Sequence, residues 1–235
     1  MRFLLLKKIQ KMKTILLKFL GTSSVEAIPR DENCAQCASD DRKDKRLRSS
    51  ILINKKILVD AGPDLLKQLR RSQIENLELI LITHEHPDHT GGIKDLLKIR
   101  RNLEIIHLKP GQHFKWSGID FYAFKVKHST QVTTVGLEIG PVIYIPDVAD
   151  LDWAMKYLQE SKIAILDGSV LNRNFGGHLA LNETVKIVKP LRNLKRIYFT
   201  HNGHTHQTHK DMVKLVKTLG DERFSLAYDG LELKI

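Results

Sequence analysis

The segment Thr83-His84-Glu85-His86-Pro87-Asp88-His89 places the four candidate metal ligands His84, His86, Asp88 and His89 within six positions. In extended backbone, residues two apart point the same way, so His84 and His86 can reach one ion together. The chain then turns at Pro87 and presents Asp88 and His89 as a second pair. Imidazole suits zinc, iron and related ions, while a carboxylate adds negative charge and tolerates manganese. Four donors this close are too many for one tetrahedral site with an open position, and are the right number to begin two adjacent sites.

Buried-looking strands deliver these residues and others like them. The apolar run Leu79–Ile82 leads into the segment above, Val142–Ile145 leads into Pro146-Asp147, and Ile197–Phe199 leads into Thr200-His201. Strand ends are where α/β folds place their sites, so the repetition points to one shared centre. His201 sits in a His-rich stretch whose other histidines are rivals for a ligand role. His128 also reads as a loop histidine, and Asp147 as a turn residue after a strand.

Further strands are expected at Thr14–Leu20, Ser50–Ile53, Ile57–Val59 and Ile163–Leu166, with half-exposed ones at Phe121–Val126 and Thr133–Ile139. Helices are expected after Pro63, from an N-cap near Asn182 to Pro190, and from about Thr208 to Gly220 with Met212, Leu215, Val216 and Leu219 on one face. The interleaving implies a layered α/β architecture with helices outside. Gly21–Ser49, with its charge run Asp40–Arg48, reads as a solvated loop. Residues 1–11 read as an extension and 12–235 as one domain.

At 235 residues with 42% hydrophobic and 28% charged side chains, the chain has ordinary globular composition. A net charge of +11 favours phosphorylated or polyanionic partners. Two cysteines are too few for a secreted disulfide scaffold and point to a reducing, cytoplasmic setting. The basic, apolar N-terminus has runs too short for a secretory h-region of about 7–15 apolar residues, so no membrane anchorage is expected.

His84-Glu85-His86-Pro87-Asp88-His89 resembles the H-x-H-x-D-H signature of the metallo-β-lactamase superfamily. From about Thr14 the chain is similar to the PhnP-type phosphodiesterase branch, through Gly21-Thr22, Val59-Asp60-Ala61-Gly62, His128-Ser129, Asp147, Gly177-His178 and His201-Asn202-Gly203-His204. The resemblance implies an αββα sandwich of two mixed β-sheets flanked by helices. It implies that His84, His86 and His128 hold one divalent ion (Zn2+ or Mn2+), that Asp88, His89 and His201 hold another, and that Asp147 bridges them. Asp88 and His178 count as catalytic, with His178 contacting phosphate and protonating the leaving group, and Asp60 supports the metal loop. A hook carrying Glu32, Cys34 and Cys37, with His204, matches a structural zinc site, Glu32 standing where the family has cysteine. His206 and His209 are expected to face solvent.

The expected activity is a dinuclear-metal phosphodiesterase acting on a cyclic phosphate or nucleotide-like diester. Two ions about 3.5–4 Å apart lower the pKa of a shared water to about 7. The alternatives are a tRNA 3′-processing endonuclease, for which no long Gly/Pro-rich arm is present, and a non-catalytic nucleic-acid or partner-binding member of the fold. A small phosphorylated substrate is the expected partner, nucleic acid ranks second, and a homodimer is compatible with the resemblance.

Overall fold

The computed structural model describes residues 14–30 and 33–235, so the 1–11 extension and Glu32 lie outside the described residues. Strands β1 (Leu16–Gly21), β2 (Ser50–Ile53), β3 (Ile57–Val59), β4 (Leu79–Ile82) and β5 (Glu104–His107) build the first sheet. Strands β6 (His113–Trp116), β7 (Ile119–Val126), β8 (Thr134–Ile139), β9 (Val142–Ile145), β10 (Ile163–Asp167), β11 (Arg196–Thr200) and β12 (Phe224–Leu226) build the second. The last strand, β13 (Glu232–Lys234), returns to the first sheet beside β1, giving the order β13-β1-β2-β3-β4-β5, while the second sheet runs β12-β11-β10-β9-β8-β7-β6. Both sheets mix parallel and antiparallel pairs.

Every residue of β2, β3, β4 and β9 is buried, because both faces of these strands are covered. In β4, Leu79 and Leu81 enter the core between the sheets with Phe121, Leu137 and Tyr144. Ile80 and Ile82 point the other way, against the helical layer carrying Leu65, Ile74 and Leu96. In β10, Ile163 and Ile165 face inward, whereas Ala164 and Leu166 meet Leu181, Val185, Met212 and Val216 of the opposite helical layer. The layers are therefore αββα, as expected. A slip of one residue would exchange the two faces of a strand, each large side chain being worth about 1.5–3 kcal/mol when buried. Packing thus fixes the residues that emerge at the strand ends.

Three local expectations are corrected. The Leu181–Val188 helix is capped by Ala180, whose N–H donates to Asn174 Oδ1 (2.7 Å), and Asn182 lies inside the first turn. Strand β8 is almost wholly buried rather than half-exposed, with Val135, Leu137 and Ile139 in the core between the sheets and the Phe124 ring against Gly136. Leu219, counted with the apolar face of the His209–Leu219 helix, is 38% exposed at its end.

The charge run is not simply a solvated loop, and His209 does not face solvent: Asp44, Arg46 and His209 are buried. Arg46 donates through Nη1 to Thr22 Oγ1 (2.7 Å) and the Ala227 carbonyl (2.6 Å), and Nη2 lies 2.9 Å from His209 Nδ1. A guanidinium can only donate, so His209 must accept at Nδ1 and stay neutral. Burial, reinforced by Arg46 and Lys43, pushes its pKa down to about 4. The folded protein therefore resists a proton that the unfolded chain accepts near pH 6.5, and this stability is present above that pH and lost as pH falls toward 4. Relative to His209→Gln, whose amide oxygen can still accept from Arg46, wild type is expected to lose roughly 3 kcal/mol over that interval. Urea unfolding of both proteins across the interval measures this, and parallel pH profiles would refute it.

Candidate metal centre

Strand β4 ends at Ile82 and leads into Thr83 and His84, and His86 caps the short Pro87–Thr90 helix that carries Asp88 and His89. Proline suits that first helical turn because its missing N–H would be unpaired there. Asp147 follows β9, His201 follows β11, and His128 lies two residues beyond β7. The structure brings all seven side chains together. His86 Nδ1 lies 3.0 Å from His84 Nε2 and 3.3 Å from His128 Nε2. Asp88 Oδ2 lies 3.4 Å from His89 Nε2 and 3.2 Å from His201 Nε2. Asp147 reaches both groups, with Oδ2 3.2 Å from His89 Nε2 and Oδ1 3.4 Å from His201 Nε2 and 3.8 Å from His128 Nε2.

Proton accounting shows what this arrangement requires. His89 Nδ1 donates to Asp60 Oδ2 (2.8 Å), and His128 Nδ1 donates to the Gly177 carbonyl (2.9 Å). The Thr83 hydroxyl donates to Asp60, so at 3.1 Å it accepts from His84 Nδ1. The Ser169 hydroxyl donates to Asp167 Oδ1 (2.6 Å), so at 2.7 Å it accepts from His201 Nδ1. In their neutral forms these four histidines turn a bare Nε2 inward, toward two carboxylates and one another. Asp147 Oδ2 is buried without a hydrogen-bond partner. Lone pairs facing lone pairs need cations between them, and a nitrogen-and-oxygen donor set of this kind fits zinc or manganese.

The local field agrees. Burial works against charge on Asp88 and Asp147, yet His201 and His89 hold both well below the usual carboxylate range. Burial also opposes charge on His89, but Asp147 and Asp60 override it and raise His89 well above the usual histidine range. His84, with burial dominant, is pushed down to about 2. The carboxylates thus stay anionic, and without a metal ion a proton on His89 Nε2 meets their demand for positive charge. Two site residues hold left-handed backbone, Asp60 at φ 63° and His201 at φ 54°. Such backbone costs a non-glycine residue about 1–2 kcal/mol, and the hydrogen bonds and strand ends around each keep it in place.

His178 sits beside the cluster, its Nδ1 2.7 Å from Asp167 Oδ2 and 3.9 Å from Asp147 Oδ1. Burial lowers its proton affinity, but the Asp167 hydrogen bond and charge outweigh this and lift its pKa to about 9. Asp167 ends β10 and also accepts from the backbone N–H of Val148 (3.0 Å) and Ser169 (2.8 Å). It therefore positions His178, His201 through Ser169, and the turn that carries Asp147. Sequence reading missed it, although the signal was the one used elsewhere, an acid ending a buried apolar strand.

In the hook, Cys34 Sγ and Cys37 Sγ each lie 3.2 Å from His204 Nε2. His206 is exposed, but its ring centre is 4.3 Å from that of His204, so it joins Cys34 and His204 as a candidate ligand. A cavity of about 530 Å3 opens onto the cluster between the hook, through Val25 and Arg30, and the turn bearing Phe175 and His178.

Fold and site together define a metal-dependent hydrolase. The model of the metallo-beta-lactamase superfamily matches residues 44–163, just over half of the chain, and the chain belongs to that superfamily. A diphosphatase from the PhnP family superposes with a TM-score of 0.79 at 24% identity, covering 95% of this chain and 98% of that one. The metallo-beta-lactamase fold protein YhfI from Bacillus subtilis gives 0.75 at 17% identity, covering 95% and 100%. The short form of human tRNase Z gives 0.61 at 16%, covering 93% and 98%. At these identities the likenesses show the fold. An octanoyltransferase of Porphyromonas gingivalis (strain ATCC BAA-308 / W83) is 25% identical over 91% of this chain. The chain spans 50% of that protein, so acyl transfer is not carried over to it. Among the described residues, no helix is long and apolar enough to cross a membrane.

Proposed function

We propose that this hydrolase is a phosphodiesterase acting on a cyclic phosphate or nucleotide-like diester, with two divalent cations held by His84, His86, His128, Asp88, His89, His201 and Asp147. The observation that carries the reading is the pairing of an inward-facing set of bare donors with His178, hydrogen-bonded to Asp167, at the cavity wall. When bound, two such cations supply an activated water and offset charge on the phosphate. The chain's own groups do the rest. Asp60, Thr83, Ser169 and Asp167 fix the imidazole tautomers, and Asp167 keeps a proton on His178, leaving Nε2–H for the departing oxygen. The PhnP-family likeness and the net charge of +11 support a phosphorylated substrate. Cys34, Cys37 and His204 are read as a separate zinc site.

Metal-loaded protein is expected to hydrolyse members of a panel of cyclic and linear phosphodiesters, to lose that activity to a chelator, and to regain it with zinc or manganese. Cys34→Ser with Cys37→Ser is expected to lose one zinc per chain. Inactivity on the whole panel would count decisively against the reading, and efficient cleavage of precursor tRNA alone would favour the endonuclease instead.

A further inference from the structure

The two most exposed large apolar side chains among the described residues, Phe175 at 74% and Val25 at 62%, both line the cavity that opens onto the metal centre. Phe175 is held there by its backbone. Its N–H donates to the His178 carbonyl (3.2 Å), and the His178 N–H donates back (3.0 Å). Between them, Gly176 at φ 60° and Gly177 at φ 85° make the two-residue hairpin turn that needs positive φ at both centres. A side chain on Gly177 would also strike the His128 carbonyl, its Cβ approaching within 2.2 Å. Residues exchanging both bonds across such a turn project from the same face, so the Phe175 and His178 side chains leave the hairpin on one side. His178 is anchored through Nδ1, and its free edge is Nε2.

We propose that Phe175 is the stacking platform for a planar aromatic group on the leaving side of the substrate, a nucleobase in the simplest case, with Val25 covering it from the hook. The proposal rests on the phosphodiesterase reading and adds the chemistry of the group that carries the leaving oxygen. A phenyl face left in water recovers its cost when a flat ring covers it, and an alkyl or sugar leaving group would leave it exposed.

The test compares adenosine 2′,3′-cyclic phosphate with 1-O-methylribose 2′,3′-cyclic phosphate in turnover. In calorimetry of the metal-loaded protein, it compares AMP with ribose 5-phosphate. Phe175→Ala is expected to reduce the preference for the base-bearing member of each pair about tenfold, within the range of base stacking on aromatic side chains. Phe175→Trp is expected to restore it and Phe175→Leu not to. Equal losses for both members of a pair, or an unaltered preference, would overturn the proposal. Binding that follows this pattern without any diester turnover would keep the platform and remove the phosphodiesterase reading. Turnover without preference for the base would do the reverse.

Discussion

Asp147→Asn is expected to lower kcat/KM on any phosphodiester substrate by about 10³-fold or more, since the cation chemistry it supports is worth several kcal/mol, and to reduce the divalent metal content. Asp147 is the side chain that reaches both halves of the cluster, with its carboxylate oxygens 3.2 to 3.8 Å from His89, His201 and His128. Asparagine keeps the volume but removes the negative charge and turns an NH2 group toward nitrogens that are already bare. Stability gives an independent readout. A cation that binds only the folded chain stabilises it by mass action, so metal should raise the melting temperature of wild type more than that of the variant. In chelator the difference should close, because no cation is then left for the carboxylate to hold. Wild-type metal content and turnover in Asp147→Asn would remove Asp147 from the centre.

What could be read from the chain divides along the sheets themselves. Continuous apolar runs such as Leu79–Ile82 and Val142–Ile145 announced central strands, whose burial on both faces leaves no room for polar residues. The strands that were not anticipated, β5, β6, β12 and β13, are the four sheet edges. Edges are short and partly solvated, and Glu104–His107 has an exposed residue at each end, so their composition resembles that of loops. The site followed the same logic. His84, His89, Asp147 and His201 were legible because each follows a central strand. Asp167 ends one too, but acts only through hydrogen bonds to residues that the fold brings near it. Arg46 and His209 were misread because their contacts span 163 positions of chain, which no local pattern encodes.

The remaining large effect concerns His178. A general acid matters in proportion to how badly the leaving oxygen needs a proton, with a usual contribution of about 10²–10⁴-fold. His178→Gln is therefore expected to cut kcat by that amount on a cyclic or alkyl phosphodiester, and by less than about tenfold on a p-nitrophenyl ester, whose phenolate leaves unaided. A purely structural role would depress both substrates equally. The pH profile tests the same assignment. The hydrogen bond and charge of Asp167 raise the His178 pKa, so the rate should fall on the alkaline side as the imidazolium loses its proton. Asp167→Asn removes the main group that raises it, so the alkaline limb should move down toward the ordinary histidine range near 6.5. If the limb stays in place in Asp167→Asn, or vanishes for neither substrate in His178→Gln, the proton comes from elsewhere and Asp167 serves only to hold the turn between β10 and the hairpin.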